Sequence, residues 1–280
     1  MPTTPNPPNP SSPPKALILT AYGAYVRRLG GWLAVADLVE LLGALGQREP
    51  AVRSATSRMK KGGLLRAESR GPAAGYALTD EAAAILDAGD ERIFMSSKPA
   101  DLSEGWVMAV FSVPERHRDQ RHQLRSQLAA LGFGQAAPGV WIAPRRVGAD
   151  TRRVLQRHGL AGYVTLFEGD HIGFDDTRSL IARSWDLGDL ASSYRRFFRR
   201  FEPVRDAWRG RTASDRTAYV DYTLALSAWR RLPYLDPGLP PELLPADWPG
   251  APARQLFAEL VERLDDRALA HVRAVVERIE

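Results

Sequence analysis

The stretch from Arg48 to Thr79 constrains the fold most, because it has the pattern of a helix followed by a small hairpin. On helical spacing Val52, Ala55 and Met59 form one apolar stripe, which predicts that this side of the helix packs against a core. The Gly62–Gly63 pair is expected to end the helix. The other faces of the helix are then free to contact a partner.

A hairpin and two upstream helices complete this segment. Leu64–Glu68 and Tyr76–Thr79 are predicted strands, joined by the loop Ser-Arg-Gly-Pro-Ala-Ala-Gly. The apolar positions of the two upstream helices are Leu19, Tyr22, Val26 and Leu29 in the first, and Val35, Leu38, Val39, Leu42 and Leu45 in the second. Two helices, a short turn, a basic helix and a hairpin follow one another in a winged helix-turn-helix.

The charge of this segment favours DNA as its partner. Residues 15–79 carry ten basic and four acidic side chains, whereas the whole chain has a formal net charge of +5. A positive field confined to one segment is expected of a DNA-reading domain on a neutral body. The predicted DNA-binding residues are Arg53, Ser54, Ser57, Arg58, Lys60, Lys61, Arg66, Arg70 and Tyr76. The alternative interpretation is a basic helix face that is merely solvated.

The remaining chain is predicted to give an α+β protein of several domains. Residues 1–14 contain seven prolines and no charged side chain, which is typical of a disordered tail. Residues 15–98 form the winged helix-turn-helix and a connector helix that starts at Asp80. Residues 99–176 form a middle domain and residues 177–280 a mainly α-helical C-terminal domain for dimerisation or effector binding.

The middle domain is predicted to be ferredoxin-like. Its elements are a buried strand over residues 106–113, a helix over 115–131, strands over 133–136 and 140–143, a helix over 150–158 and a strand over 163–167. The order is βαββαβ, on a scaffold that hosts many unrelated functions. In the C-terminal part Leu190, Tyr194, Phe197 and Phe201 lie on one helix face, Ser214 is a helix cap, and the prolines between Leu232 and Pro252 predict a coil.

The sequence lacks the patterns that most enzymes and metal sites require. There is no cysteine, the five histidines show no ligand spacing, and no GxSxG, GxGxxG or GxxxxGK[ST] motif occurs. We therefore expect no catalytic site, no metal site and no cofactor. The absence of cysteine and of a long apolar run predicts a cytoplasmic protein with no membrane contact.

Several segments resemble the PaaX-type transcriptional repressors of phenylacetate catabolism. The strongest similarity lies in Trp229–Gly250, where Arg-Arg, Asp-Pro, Leu-Pro, Glu-Leu-Leu-Pro and Trp-Pro-Gly follow one another. The similar segments elsewhere are Ala51–Arg53 with Ser57–Arg58, Arg92–Phe94, and Ser184–Leu187 with Tyr194 and Phe197. The resemblance covers residues 15 to 264. It implies a homodimeric repressor of aromatic-acid degradation genes that an acyl-CoA releases from its operator, phenylacetyl-CoA in the founding members.

The chain departs from the family pattern at two places, and from a second group of similar proteins at a third. Arg70 is followed by Gly-Pro-Ala-Ala, where family wings carry adjacent arginines, so fewer phosphate contacts are expected from the wing. Ser227 stands where the family commonly has histidine. The middle domain also resembles the small CRISPR adaptation endonucleases, but residues 112–114 are Ser-Val-Pro where those enzymes have a metal-binding aspartate, which argues against nuclease activity.

Two questions about function stay open at the level of sequence. Arg230 and Arg231 are the predicted effector-binding residues, because the phosphates of an acyl-CoA need cationic partners; alternatively they form ion pairs that hold the proline-rich coil. A ligand-released repressor is the leading prediction for the whole protein. The alternative is a nucleic-acid-binding or protein-assembly scaffold that senses no small molecule.

Overall fold

The computed structural model describes residues 12–94, 99–210 and 213–279. The N-terminal elements are α1 (Pro14–Ala24), a 3-10 helix (Val26–Leu29), β1 (Trp32–Ala34), α2 (Val35–Ala44), α3 (Glu49–Lys61), β2 (Leu65–Arg70), β3 (Ala73–Leu78) and α4 (Asp80–Phe94). The three strands form an antiparallel sheet in the order β1-β3-β2. Three helices and a hairpin in this order are a winged helix-turn-helix.

The first helix differs from its prediction at both ends. It begins at Pro14, within the predicted tail, because proline is tolerated in the first turn of a helix; residues 1–11 of that tail lie outside the described residues. It ends at Ala24, and its core-facing residues include Leu17, Ile18 and Ala21 rather than only the predicted stripe. The buried face is wide because α1 packs against α2, α3 and α9 (residues 215–229).

The hairpin is longer and its turn tighter than predicted. The strands extend to Arg70 and Ala73, so most of the predicted seven-residue loop is paired strand and only Gly71 and Pro72 form the turn. Gly71 has a φ of +54°, which glycine adopts without steric cost. The alanines and Gly75 lack strong strand propensity, and tertiary packing overrides that weakness.

The middle of the chain folds as βαββαβ, as predicted. Its elements are β4 (Trp106–Phe111), α5 (Arg118–Ala130) after a 3-10 turn (Glu115–His117), β5 (Gly134–Ala137), β6 (Val140–Pro144), α6 (Gly148–Arg157) and β7 (Val164–Gly169). The four antiparallel strands lie in the order β5-β6-β4-β7. The two helices cover one face of the sheet, and Leu124, Leu128 and Leu155 join the core there. This is the ferredoxin-like arrangement.

The C-terminal part is helical. It comprises α7 (Thr177–Ser184), α8 (Leu187–Arg209), α9 (Asp215–Trp229), α10 (Leu232–Leu235) and α11 (Gly250–Val276). The predicted cap is confirmed, since the Ser214 hydroxyl accepts a hydrogen bond from the Thr217 amide at 3.2 Å. The prediction of coil throughout 232–252 is wrong at both ends: α10 has Pro233 and α11 has Pro252 in its first turn, where the missing amide costs nothing.

The described residues group into two compact units that are not continuous in sequence. The first combines the described residues of Met1–Phe94 with Arg196–Arg230 and Pro252–Glu280; the second combines those of Met95–Arg195 with Arg231–Ala251. The winged helix-turn-helix therefore shares its unit with α9 and α11. The predicted three-domain division by sequence segment stays a prediction.

Tyrosine hydroxyls join the winged helix-turn-helix to α9 inside the first unit. Tyr25 bonds to the Thr223 hydroxyl at 2.9 Å, and Tyr219 donates to the Leu41 carbonyl at 3.1 Å. Burial raises the pKa of both tyrosines above the ordinary range, so the hydroxyls stay protonated and able to donate. The winged helix-turn-helix is thus held on α9 by buried polar contacts as well as by apolar packing.

Candidate nucleic-acid interface

Helix α3 presents one buried and one exposed face. The predicted stripe of Val52, Ala55 and Met59 is confirmed as buried, and Thr56 joins it by donating to the Val52 carbonyl at 2.8 Å. The six predicted DNA-binding residues of the helix are all exposed: Arg53, Ser54, Ser57, Arg58, Lys60 and Lys61. At about 100° per residue, the serines and Lys61 point away from the stripe, with Arg53 and Lys60 on one flank and Arg58 on the other.

The arginines of α3 are oriented by neighbours on the same helix. Arg53 donates to the Glu49 carboxylate at 2.7 Å, one turn earlier, and both side chains are more than half exposed. Arg58 donates to the Ser54 hydroxyl at 2.6 Å. Exposed contacts of this kind contribute little to stability, so both guanidinium groups can exchange them for phosphate or base acceptors.

The wing carries a compact cluster of charge on one face of its sheet. Arg66, Glu68 and Arg70 alternate along β2 and therefore project from the same face. Arg66 lies 2.5 Å and Arg70 2.9 Å from the Glu68 carboxylate. Hydrogen bonding from Arg70, reinforced by Arg66, lowers the pKa of Glu68, so the carboxylate stays charged near neutral pH. The Glu68 carboxylate thus neutralises part of the positive charge of the wing.

Trp32 completes this cluster. Its indole nitrogen donates to the Glu68 carbonyl at 3.0 Å, and the Arg70 guanidinium lies 5.0 Å from the ring centroid, within cation-π range. The ring packs so closely on Gly75 that a β-carbon there would lie 2.4 Å from it. Gly75 is therefore the residue that lets the indole lie flat on the hairpin and support Arg70.

Tyr76 lies on the opposite face of the wing from the two arginines. It pairs with Leu33 and Ala67 across the sheet, and the side with Leu33 is buried. Its backbone carbonyl accepts a hydrogen bond from the Tyr22 hydroxyl at 2.9 Å. The structure therefore brings together the predicted residues of α3 on one surface, and Arg66 with Arg70 on another, while half-buried Tyr76 belongs to neither.

Trp32 and Glu68 were missed by the sequence reasoning. The alternation Arg66-Ala-Glu68-Ser-Arg70 on a strand places all three charges on one face and could have identified Glu68. Trp32 lies in a strand of three residues, too short for a periodic pattern to show. No local signal in the sequence connects it to the hairpin.

The predicted effector residues have different surroundings. Arg230, at the end of α9, is half-buried and donates to the Ala16 carbonyl of α1 at 3.4 Å within the first unit. Arg231 is exposed and is assigned to the second unit. Among the residues described, no group of three or more acidic or histidine side chains could hold a metal ion. No helix in the described segments is long and apolar enough to cross a membrane.

Comparison with known protein families covers nearly the whole chain. Residues 13–82 match the model of the PaaX-like protein, residues 99–181 that of the PaaX protein central Cas2-like domain, and residues 185–274 that of the PaaX-like protein C-terminal domain. The chain belongs to the PaaX family. Such proteins are regulators rather than enzymes, which confirms the expectation that the chain is not an enzyme.

Two individual proteins are similar over most of their length. The Transcriptional repressor PaaX of Escherichia coli strain K12 is 29% identical over 263 residues, which is 92% of this chain and 82% of that protein. The structure of the Uncharacterized protein Rv0674 from Mycobacterium tuberculosis has a TM-score of 0.61 and 23% identity, and the match covers 91% of this chain and 97% of that one. The second likeness shows a shared fold.

Proposed function

We propose that this PaaX-family protein is a transcriptional repressor that binds the operator of phenylacetate-type catabolic genes through α3 and the wing. The observation that carries the proposal is the surface of α3, where six polar or basic side chains are exposed, opposite and beside a fully buried stripe. A helix of 13 residues is about 20 Å long and fits the major groove of B-DNA. Arg66 and Arg70 of the wing are then available to the phosphate backbone.

Repression of a defined operator favours a homodimer. One winged helix covers few base pairs, and a two-fold protein reads a two-fold site. Half-site centres are expected about one helical turn, or a multiple of it, apart. Footprinting on the operator measures this spacing, and protection of one asymmetric half-site by a monomer would contradict it.

The proposed effector is an aryl-acyl-CoA such as phenylacetyl-CoA. It releases DNA only if it binds the non-binding arrangement of the protein more tightly, because equal affinity for both arrangements shifts nothing. Arg230 and Arg231 are the proposed phosphate-binding side chains, each tested by its own alanine variant. Calorimetric titration with phenylacetyl-CoA measures the affinity of each variant. Equal affinities for wild type and both variants would mean that the CoA phosphates do not bind Arg230 or Arg231.

The test of the function is a binding experiment on promoter DNA. Fluorescence anisotropy with the upstream region of phenylacetate-degradation genes from the same organism is expected to show specific binding, which phenylacetyl-CoA reverses and free phenylacetate or CoA does not. A scrambled duplex of equal length is the control. Specific DNA binding that no thioester reverses would favour the scaffold alternative, and absence of specific binding would overturn the repressor proposal.

A further inference from the structure

Charge is distributed unevenly over residues 99–176, the ferredoxin-like part of the chain. These residues include nine arginines, no lysine and nine carboxylates, so their formal charge is zero. Seven of the arginines but only three of the carboxylates lie in α5, in α6 or in the 3-10 turn that precedes α5. The other residues of this range carry two arginines and six carboxylates. The two helices that cover the sheet are therefore positive on a neutral body.

The solvent side of α5 and α6 displays most of this charge. The inner faces of the two helices pack on the sheet through Leu124, Leu128 and Leu155. The helices lie side by side, and the amide nitrogen of Gln123 in α5 is 3.5 Å from Nδ1 of His158, which follows α6. The exposed arginines of the two helices and the 3-10 turn form the arginine layer: Arg116, Arg118, Arg125, Arg152, Arg153 and Arg157.

The guanidinium groups of the arginine layer are available to an external anion. Four of the six make no hydrogen bond or ion pair with any residue that the structure describes: Arg116, Arg118, Arg152 and Arg157. Arg125 donates to the side-chain oxygen of Gln135 at 3.3 Å, and Arg153 pairs with Asp150 one turn earlier. Both of these contacts are exposed, and exposed pairs contribute so little to stability that another acceptor can replace them.

The composition of the arginine layer fits a phosphate backbone better than a protein surface or unpaired bases. None of the large exposed apolar residues in the described chain lies on α5, α6 or the 3-10 turn, so the layer lacks the apolar core of a protein–protein interface. For the same reason it offers no exposed phenylalanine, tyrosine or tryptophan on which bases could stack. All its cations are arginines, whose planar fork binds two phosphate oxygens at once.

The spacing of the arginines matches the charge density of duplex DNA. Arg118 and Arg125 are seven residues apart on α5, which places them on one face at a separation of about 10 Å. Arg153 and Arg157 are four residues apart on α6, a separation of about 6 Å along the helix. Duplex DNA carries about one negative charge per 1.7 Å of its axis, so about 10 Å of it presents about six phosphates. Each arginine pair can therefore contact more than one phosphate of the same duplex.

We propose that the arginine layer is a DNA-binding surface in addition to α3 and the wing, and that it holds the phosphate backbone of duplex DNA without reading its sequence. Phosphate contacts carry no base information, so the layer raises the affinity for operator and non-operator DNA alike. Each contact releases condensed counterions, which makes the binding depend on salt. The proposal goes beyond the proposed function, because it requires neither an operator nor an effector.

The test separates the arginine layer from α3. The full chain with Arg53→Ala and Arg58→Ala, which weaken α3, should still bind a scrambled DNA duplex at low salt. Adding Arg118→Gln and Arg157→Gln should weaken this binding roughly tenfold and lower the slope of log affinity against log salt by about two, because each lost phosphate contact contributes about 0.9 to that slope. Fluorescence anisotropy titrations at several salt concentrations measure both quantities.

A matched control removes the same charge from other helices. In the same α3-weakened background, Arg199→Gln with Arg273→Gln neutralises two exposed arginines of α8 and α11 and should alter neither affinity nor slope. The thermal unfolding temperature should be equal in all variants, because the substituted side chains are exposed. An arginine-layer variant that keeps the affinity and slope of its background would overturn the proposal. Tighter binding of duplex RNA or of single-stranded DNA to the layer would overturn its assignment to duplex DNA.

The outcome is distinguishable from that of the proposed function. With α3 intact, Arg118→Gln and Arg157→Gln should weaken operator and scrambled duplex by the same factor, so the ratio of the two affinities should stay that of wild type. A fall of that ratio in the variant would contradict a contact that reads no sequence. A protein whose layer variants weaken binding to scrambled DNA, but which shows no preference for the operator, would leave this inference intact and overturn only the proposed function.

Discussion

Individual side chains of α3 are expected to differ in whether they contact bases or phosphates. Arg53→Ala or Arg58→Ala should weaken operator binding by about 1 to 3 kcal/mol and relax the sequence preference at one position, whereas Lys60→Ala should weaken all sequences alike. The fold should be unaffected, because these side chains are exposed. Anisotropy titrations with the operator and with single-base variants measure both effects.

The control for this series is Arg273→Ala, an exposed arginine of α11. It removes the same charge far along the sequence from α3 and should leave operator affinity within error of wild type. Operator affinity unchanged in both α3 arginine variants would show that α3 is not the reading helix.

Glu68 is expected to lower the affinity of the wing for DNA phosphates. Glu68→Gln removes the carboxylate that pairs with Arg66 and Arg70, so both guanidinium groups become available to phosphates and non-specific DNA affinity should rise severalfold. The logarithm of the DNA-binding constant should also fall more steeply with the logarithm of the salt concentration in this variant, because more counterions are released. Titrations at several salt concentrations check both quantities, with Glu81→Gln of α4 as the control. An unchanged salt slope would mean that the wing does not contact phosphates.

His271 is expected to make stability depend on pH. Burial, followed by the charge of Arg216, lowers its pKa below the ordinary value of about 6.5. The unfolded chain then binds a proton that the folded chain resists, so the free energy of unfolding should fall as pH falls through about 6.5 toward the lower folded pKa. Urea unfolding at pH 7.5 and 5.5 measures the change. His271→Gln should flatten it, and an equal pH dependence in that variant would assign the effect to another group.

At the scale of elements, the contact between α9 and α2 depends on one buried hydroxyl. Tyr219→Phe should lower the free energy of unfolding by about 1 to 3 kcal/mol, because the buried Leu41 carbonyl loses the donor that Tyr219 provides. Tyr219→Leu removes the ring as well and should cost more, which separates the hydrogen bond from packing. Denaturant unfolding that finds Tyr219→Phe as stable as wild type would show that the hydroxyl contributes nothing.

Elements with strong local patterns were predicted from the sequence. The stripe of α3, its end at two glycines and the βαββαβ order of the middle domain all follow from periodicity and turn residues. Strand β1 was missed because three residues are too few to show an alternating pattern. The hairpin strands were predicted too short because alanine has a low propensity for β-strands. Pairing with β2 along the whole segment, pairing with β1 at Gly75 and the cover of Trp32 make that segment a strand.

The candidate site was predictable only where a local periodic pattern determines it. Exposure of the α3 residues follows from the helical period, whereas Trp32, which lies against Arg70, is 38 positions earlier in the chain. The burial of α1 against α9 depends on still longer separations. Such contacts are set by tertiary packing, which local patterns do not encode.

At the scale of the whole molecule, the winged helix-turn-helix should not fold alone. A chain truncated after Phe94 lacks α9 and α11 and leaves the apolar face of α1 and the Tyr25 hydroxyl without their partners. We expect no cooperative thermal transition and no operator binding from this fragment, while the full chain shows both. Circular dichroism melts compare the two, and a sharp transition in the fragment would show that its core is self-sufficient.

The discontinuous first unit also has a consequence during synthesis on the ribosome. The α1 face that carries Leu17, Ile18 and Ala21 leaves the exit tunnel long before α9, which begins at Asp215. At about 5 to 20 residues per second, the nascent chain exposes that face for on the order of ten seconds before its cover exists. The middle sheet is complete well before then. We therefore expect the ferredoxin-like sheet to fold while the winged helix-turn-helix still lacks its cover, so that any DNA binding by that segment should arise only after α9 has been synthesised.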